Sequence, residues 1–213
     1  MKSVAIGVHL RREDIEPLAT AVPVGDLFLS AVEVPGDQPL SDRDFLVRIT
    51  ATRARLLESA TFIAVRYGFT FRSAMEASAK VAMNLERWRQ LLETHRNRVE
   101  LTLRVTAVGS KRPNREEFSD GARYLRALHA ATRSAEVDPA FRAAVDDLIV
   151  PLCVTSRWMP RDEKTAEFAA LIERERMSEL AAVGAALKKR SPHVPFLLSA
   201  PWPLEVFADA DHE

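Results

Sequence analysis

The sequence predicts an α+β protein of two domains: residues 1–96 as a smaller α/β sandwich, and residues 97–213 as a ferredoxin-like β-α-β-β-α-β domain ending in a proline-rich tail. Three observations carry this. Short strand-like runs alternate with helix-period segments along the whole chain. The stretch VELTLRVTA alternates apolar and polar residues without exception from Val99 to Ala107. And 213 residues at 47% hydrophobic content are enough to bury one large core or two of about 100 residues each.

Val4–Leu10 reads as a short buried strand and Asp26–Val34 (DLFLSAVEV) as a second, closed by the turn signal Pro35-Gly36-Asp37. Ser41 with Asp44 opens an amphipathic helix through Ser59, carried by Phe45, Ile49, Leu56 and Ala60. Ala60–Tyr67 (ATFIAVRY) is β-branched and aromatic enough for a strand, and Gly68 breaks it. Ser73 caps the next helix, where Val81, Leu85, Trp88 and Leu92 share one face.

In VELTLRVTA, Val99, Leu101, Leu103, Val105 and Ala107 form a buried side, and Glu100, Thr102, Arg104 and Thr106 a polar one. After the turn-rich loop from Gly109 to Arg115, a helix carries Phe118, Ala122, Leu125 and His129 on one stripe. Asp138-Pro139 supplies an N-cap and a proline at the first position of a further helical segment through Ile149. Leu152–Trp158 is a strand. The stretch TAEFAALIERERMSELAAVGAALKKR has the composition of one long helix, yet it also divides near Glu173. The division places a strand at Glu167–Ile172 and a helix with Met177, Leu180, Gly184 and Leu187 inward, which completes the β-α-β-β-α-β order. Lys188-Lys189-Arg190 then complement the helix dipole, and Val194–Ser199 is the last strand. Beyond it, Pro201 and Pro203 bracket Trp202, so the chain is expected to leave the strand abruptly and lay the indole over the core as a lid, with Phe207 packed nearby.

Thirty basic residues balance thirty acidic ones, which leaves no net field for nucleic acid or an anionic membrane. The single cysteine, Cys153, lies in an apolar run and reads as a small buried hydrophobe in a reducing compartment. No apolar run approaches the length of a membrane span, and the first residues do not make a signal sequence, so a cytoplasmic protein is expected. The seven glycines stand singly, so no phosphate-cradling loop exists. The five histidines show no i, i+4 pairing and the lone cysteine cannot complete a zinc site. Asp146-Asp147 and Glu116-Glu117 diverge on helices instead of forming acid/base dyads, and Ser199 sits in no nucleophile elbow. No catalytic, cofactor-binding or metal-ligating residue is therefore nominated.

The remaining motifs have another character. The block Val65-Arg66-Tyr67-Gly68-Phe69-Thr70-Phe71, the strand start Val99-Glu100, the helix Gly121-Ala122-Arg123-Tyr124-Leu125, and the ending Ala200-Pro201-Trp202-Pro203-Leu204-Glu205-Val206-Phe207 stand in that order. In this order and spacing the chain resembles the gas vesicle protein F/L (GvpF/GvpL) family of accessory proteins. Tyr67 stands where that family has phenylalanine, Ala200 where it has glycine, and Leu204 and Val206 where it has a proline and a tyrosine. The family's proline before the Arg66 block is missing, and together these departures mark a divergent member. The resemblance implies a two-domain α+β fold and a non-enzymatic, gas vesicle associated role in assembly. It implies as partners the small hydrophobic shell protein and other accessory proteins. Arg66, Tyr67, Gly68, Phe71, Tyr124, Pro201, Trp202 and Phe207 are the candidate interaction or structural residues, with Arg66 expected to bond loop carbonyls or a carboxylate. The alternative is a ferredoxin-like protein that binds a small ligand or effector and has no vesicle role.

Overall fold

The computed structural model describes residues 2–36, 38–107, 113–133, 137–162 and 164–208, without the side chains of 129–133. The chain forms two compact units, Met1–Val99 with Trp202–Glu213, and Glu100–Pro201. The chain thus leaves the first unit at Val99 and returns to it at Trp202, whereas the sequence reading places the tail with the second half.

In the first unit β1 (Ser3–His9) is central, and that position explains why its residues form an apolar run without alternation: both faces are covered. It pairs antiparallel with β3 (Leu27–Glu33), which in turn pairs with β2 (Thr20–Val24). Pro23 hides β2 from a pattern search; its edge position lets a residue without an N–H stand in a ladder. Helix α1 (Arg43–Ser59) is capped by Asp42, whose carboxylate accepts the Phe45 N–H at 3.0 Å, one residue beyond the Ser41 expected from sequence. Its Phe45, Ile49, Leu56 and Leu57 pack with Val4, Ile6, Val34 and Phe62 into one buried cluster.

Of the strand expected over Ala60–Tyr67, only β4 (Ile63–Ala64) forms, opposite Gly7 and Val8 of β1. Gly7 is required by this approach: a Cβ there would lie 2.3 Å from the Phe62 ring. The chain then turns and β5 (Thr70–Phe71) rejoins β1 opposite Ser3 and Val4. Ser73 caps α2 (Ala74–Val81) by accepting the Glu76 N–H, while the Glu76 carboxylate accepts the Arg72 N–H at 2.8 Å. The single helix expected here is broken at Ala82–Asn84 by a 3₁₀ turn before α3 (Leu85–Thr94).

The second unit holds a four-stranded antiparallel sheet in the order β7-β8-β6-β9, built from β6 (Arg98–Thr106), β7 (Cys153–Pro160), β8 (Thr165–Glu173) and β9 (Phe196–Trp202). Between β6 and β7 stand helix α4 (Gly121–Arg133) and helix α5 (Pro139–Leu148). The latter begins at Asp138, which accepts the Phe141 N–H at 2.8 Å. The chain divides at Glu173: β8 ends there, a 3₁₀ segment comes next, and α6 is Leu180–Arg190. Phe141 meets Phe196 of β9 at 5.5 Å, Gly184 faces Leu198, and Arg190 of α6 reaches Asp147 of α5 at 2.6 Å. Helices α5 and α6 therefore lie on one face of this sheet.

The alternating strand differs from its pattern in one respect. Glu100 is 1% exposed and Thr102 is buried too, so the polar side of β6 is polar but largely dry. Thr102 Oγ1 satisfies its need against Ser199 Oγ at 3.0 Å, and the buried Glu167 of β8 accepts from Arg104 at 2.7 Å and from Arg161. β6 lies between β8 and β9, where interior strands bury both kinds of residue alike.

Candidate functional site

The Arg66–Phe71 block is a tight turn between β4 and β5. The Phe69 N–H donates to Arg66 O at 3.1 Å, and the backbone on either side bonds β1 through Val65 N to Ile6 O and Ala5 N to Phe69 O. Gly68 has φ +91°, outside the range an L side chain readily adopts, which is the reason for glycine there. The Tyr67 hydroxyl donates to Leu40 O although the ring is 46% exposed. Phe71 is buried and meets Phe69 edge-on at 6.5 Å, and Lys80 stands over Phe69 while donating to Thr70 O. Arg66 is exposed, and no carboxylate or loop carbonyl engages its guanidinium among the described residues. The turn is held by Gly68 and its own backbone.

The proline-rich ending continues β9 through Pro201 to Trp202 instead of leaving the strand at Ser199. β9 is an edge strand, the position in a sheet where a proline is tolerated. Trp202 is 39% exposed and does not act as the expected lid. The residues that cross the core are its successors: Pro203 and Leu204 are buried, and Leu204 is 1% exposed. Leu204 N donates to Phe62 O at 2.9 Å and Leu204 O accepts from Ala64 N at 3.0 Å, so the tail lies parallel to the β4 segment. Two arginines hold the residues after Leu204: Arg53 lies 3.8 Å from Glu205, and Arg87 donates to Ala208 O. Burial pushes the Arg53 guanidinium below its ordinary pKa, and Glu205 opposes that shift. Phe207 is half-buried in this strap. The structure thus joins two motifs far apart in sequence, the turn at Arg66–Phe71 and the ending at Pro203–Phe207, through the Ile63–Leu204 bridge. Leu204, Arg53 and Arg87 carry that junction and bear no sequence signal, since an apolar residue between prolines reads as a loop.

Tyr124 belongs to the other unit, on α4. It meets Phe118 edge-on at 5.9 Å and takes the Arg115 guanidinium over its ring at 5.6 Å. The stripe expected to face inward is turned out: Ala122 is exposed and Leu125 is 62% exposed, whereas Tyr124, Ala127 and Leu128 are half-buried. The helix is rotated so that these three, at i, i+3 and i+4, form the covered side; the His129 side chain lies outside the described residues. A groove of about 610 Å³ runs beside the helix, lined by Glu117, Phe118, Ser119, Arg123 and Arg126.

The two most perturbed side chains are tuned away from reactivity at neutral pH. The Cys153 thiol donates to Ile149 O at 3.1 Å, and burial pushes its pKa up to about 11. Ser30 spends its hydroxyl proton on Gly7 O, so it accepts from His9 Nε2 at 2.9 Å, and His9 Nδ1 is left as a bare, buried lone pair stacked beside Phe62. Burial lowers the His9 pKa to about 4 against the opposing charge of Asp14. No group of three His, Cys, Asp or Glu side chains suited to a metal ion occurs among the described residues.

Two antiparallel sheets with helices, a backbone-held turn and a strapped tail define a mixed α/β protein whose singled-out motifs are joints of the fold. The family model for gas vesicle synthesis protein GvpL/GvpF matches residues 14–208, and the chain belongs to that family. Its fold is similar to the crystal structure of gas vesicle protein GvpF from Microcystis aeruginosa, with TM-score 0.67 and 11% identity over 97% of this chain and 98% of that one. It is equally similar to GvpF from Anabaena sp. PCC7120, with TM-score 0.66 and 13% identity over 100% and 98%. Comparison with curated proteins gives no match. No helix among the described residues is long and apolar enough to cross a membrane.

Proposed function

We propose that this chain is an accessory or minor structural protein of gas vesicle assembly. It acts without catalysis, in the cytoplasm and on the growing vesicle, by binding the small hydrophobic shell protein and other accessory proteins. The observation that carries the reading is the family match across residues 14–208. The suppressed nucleophile at Cys153 and the low basicity of His9 accord with a role that needs no chemistry.

The architecture we propose for this role is two domains, with the junction inside β6 at Val99–Glu100 and the tail returned to the first. The second is read as ferredoxin-like because β6, β7, β8 and β9, taken as strands 1 to 4, lie in the order 2-3-1-4 with α5 and α6 on one face. Arg66, Tyr67, Trp202 and Tyr124 are proposed as the contact residues. Gly68, Phe71, Pro201 and Phe207 are proposed as structural supports of the segments that present them.

Affinity capture of the tagged chain from cells co-expressing the shell protein tests the reading directly. Recovery of the shell protein with the chain is expected. A chain that is folded by circular dichroism yet recovers no shell protein would refute it.

A further inference from the structure

Two methionines stand almost wholly in solvent on the segment that runs from α2 into α3. Met83 is 98% exposed in the 3₁₀ turn, and Met75 is 82% exposed in the first turn of α2. Met75, Ala79 and Ala82 follow at i, i+4 and i+7 and Met83 comes next, so four exposed, uncharged residues form one stripe. Packing takes place on the other side, where Ala77 and Val81 are buried. The core makes no use of either thioether. Methionine is among the residues most often buried, so two at this exposure on one short segment set this surface apart.

The other described sulfur atoms are withdrawn. Met159 is held in the β7–β8 ladder opposite Glu167, Met177 lies in the 3₁₀ segment before α6, and both are half-buried. Cys153 is half-buried too, and with its pKa near 11 it forms little thiolate at neutral pH. A thioether needs no activation by a base, because its lone pair attacks a peroxide oxygen directly. Access therefore decides which methionine reacts.

We propose that Met83 and Met75 form a sulfoxidation site for hydrogen peroxide and small hydroperoxides, whose modification turns this stripe from apolar to polar and leaves the fold intact. The S–O bond forms as the peroxide O–O bond breaks. Sulfur loses two electrons and the peroxide gains them, while the proton on the transferred oxygen passes to the departing one, giving water or an alcohol. The thioether accepts hydrogen bonds only weakly, and the sulfoxide is polar. In a core that oxygen would be an unsatisfied polar group, but on a side facing water it is hydrated at no cost to packing. The site is independent of the assembly reading, which gives the chain no covalent chemistry.

The test treats the full-length protein with dilute hydrogen peroxide at neutral pH, quenches with free methionine, and follows each methionine by peptide mapping in a mass spectrometer. Met83 and Met75 are each expected to oxidise about threefold or more faster than Met159 and Met177, and the four rates to converge in concentrated urea. The oxidised chain should elute earlier from a hydrophobic-interaction column at an unchanged urea midpoint. A double variant, Met75→Leu with Met83→Leu, changes only exposed side chains and should fold as the parent does and keep its retention under the same treatment. Met159 or Met177 oxidising as fast as the exposed pair, a ranking that persists in urea, retention that does not move, or a midpoint that falls would overturn the proposal. Shell-protein capture by the untreated chain is read in a separate assay, so failure of this site and failure of the assembly role are told apart.

Discussion

Leu204→Ala is the sharpest probe of the strap that closes the first unit. The side chain is 1% exposed, and both backbone polar groups of the residue are bonded, to Phe62 O and Ala64 N. Truncation removes most of a buried isobutyl group, and the doubly bonded backbone prevents the tail from sinking into the space left behind. Buried Leu→Ala changes cost about 2–5 kcal/mol, least where the site collapses, so about 3–4 kcal/mol is expected here. Trp202→Ala, at a residue 39% exposed, is expected to cost under about 1.5 kcal/mol despite the larger side chain. With a urea dependence of about 3 kcal/mol per molar, the Leu204→Ala midpoint falls by about 1 M and the Trp202→Ala midpoint by less than about half that. Equilibrium urea melts by far-ultraviolet circular dichroism read both, and hydrogen exchange at the Ala64 and Leu204 amides should quicken in Leu204→Ala. An unchanged midpoint for Leu204→Ala, or a larger loss for Trp202→Ala, would show that the indole and not the leucine covers the core.

The same geometry sets two further outcomes. The His9 pKa is lowered from 6.5 to about 4, so the fold favours the neutral ring. Its contribution is whole above pH 6.5 and is lost as pH falls from there through about 4, in total about 3 kcal/mol at about 1.4 kcal/mol per pKa unit. A His9→Gln variant should show a flatter loss of stability between pH 6.5 and 4 in the same melts, and an identical acid limb would contradict this account. The two special glycines should separate by mechanism. Gly68→Ala meets open space and suffers only from its positive φ, at about 1–2 kcal/mol, whereas Gly7→Ala drives a Cβ into the Phe62 ring inside the core and should cost at least about 2 kcal/mol. Thermal melts that rank Gly68→Ala as the more damaging would reverse that assignment.

Local physics made several elements legible before any contact was known. Asp138-Pro139 and Ser73 announce helix starts because capping is a matter of adjacent residues, and both caps are made as read. The division at Glu173 was readable only through topology: alanine, leucine and glutamate favour a helix over Thr165–Glu173, yet a four-stranded sheet requires a strand there. Tertiary pairing overrides propensity in that segment. Of the candidate site, Gly68 and the block around it stood out in sequence because a left-handed turn demands glycine, but their partner across the sheet edge did not.

The caps at Ser73 and Asp138 and the glycine turn at Gly68 were thus determined by the sequence itself, since each depends on residues a few positions apart. Tertiary structure alone decided the rest. It turned Leu125 outward and Tyr124 inward on α4, a choice that periodicity leaves open when both stripes carry apolar residues. It buried Glu100 and Glu167, whose charge reads as solvated until Arg104 and Arg161 are seen to meet Glu167. It also passed the role of lid from Trp202 to Leu204, because which of several apolar residues crosses a core is set by strand parity and by where β4 offers Phe62 O and Ala64 N. Those partners lie about 140 residues away in the chain, beyond the reach of any local pattern.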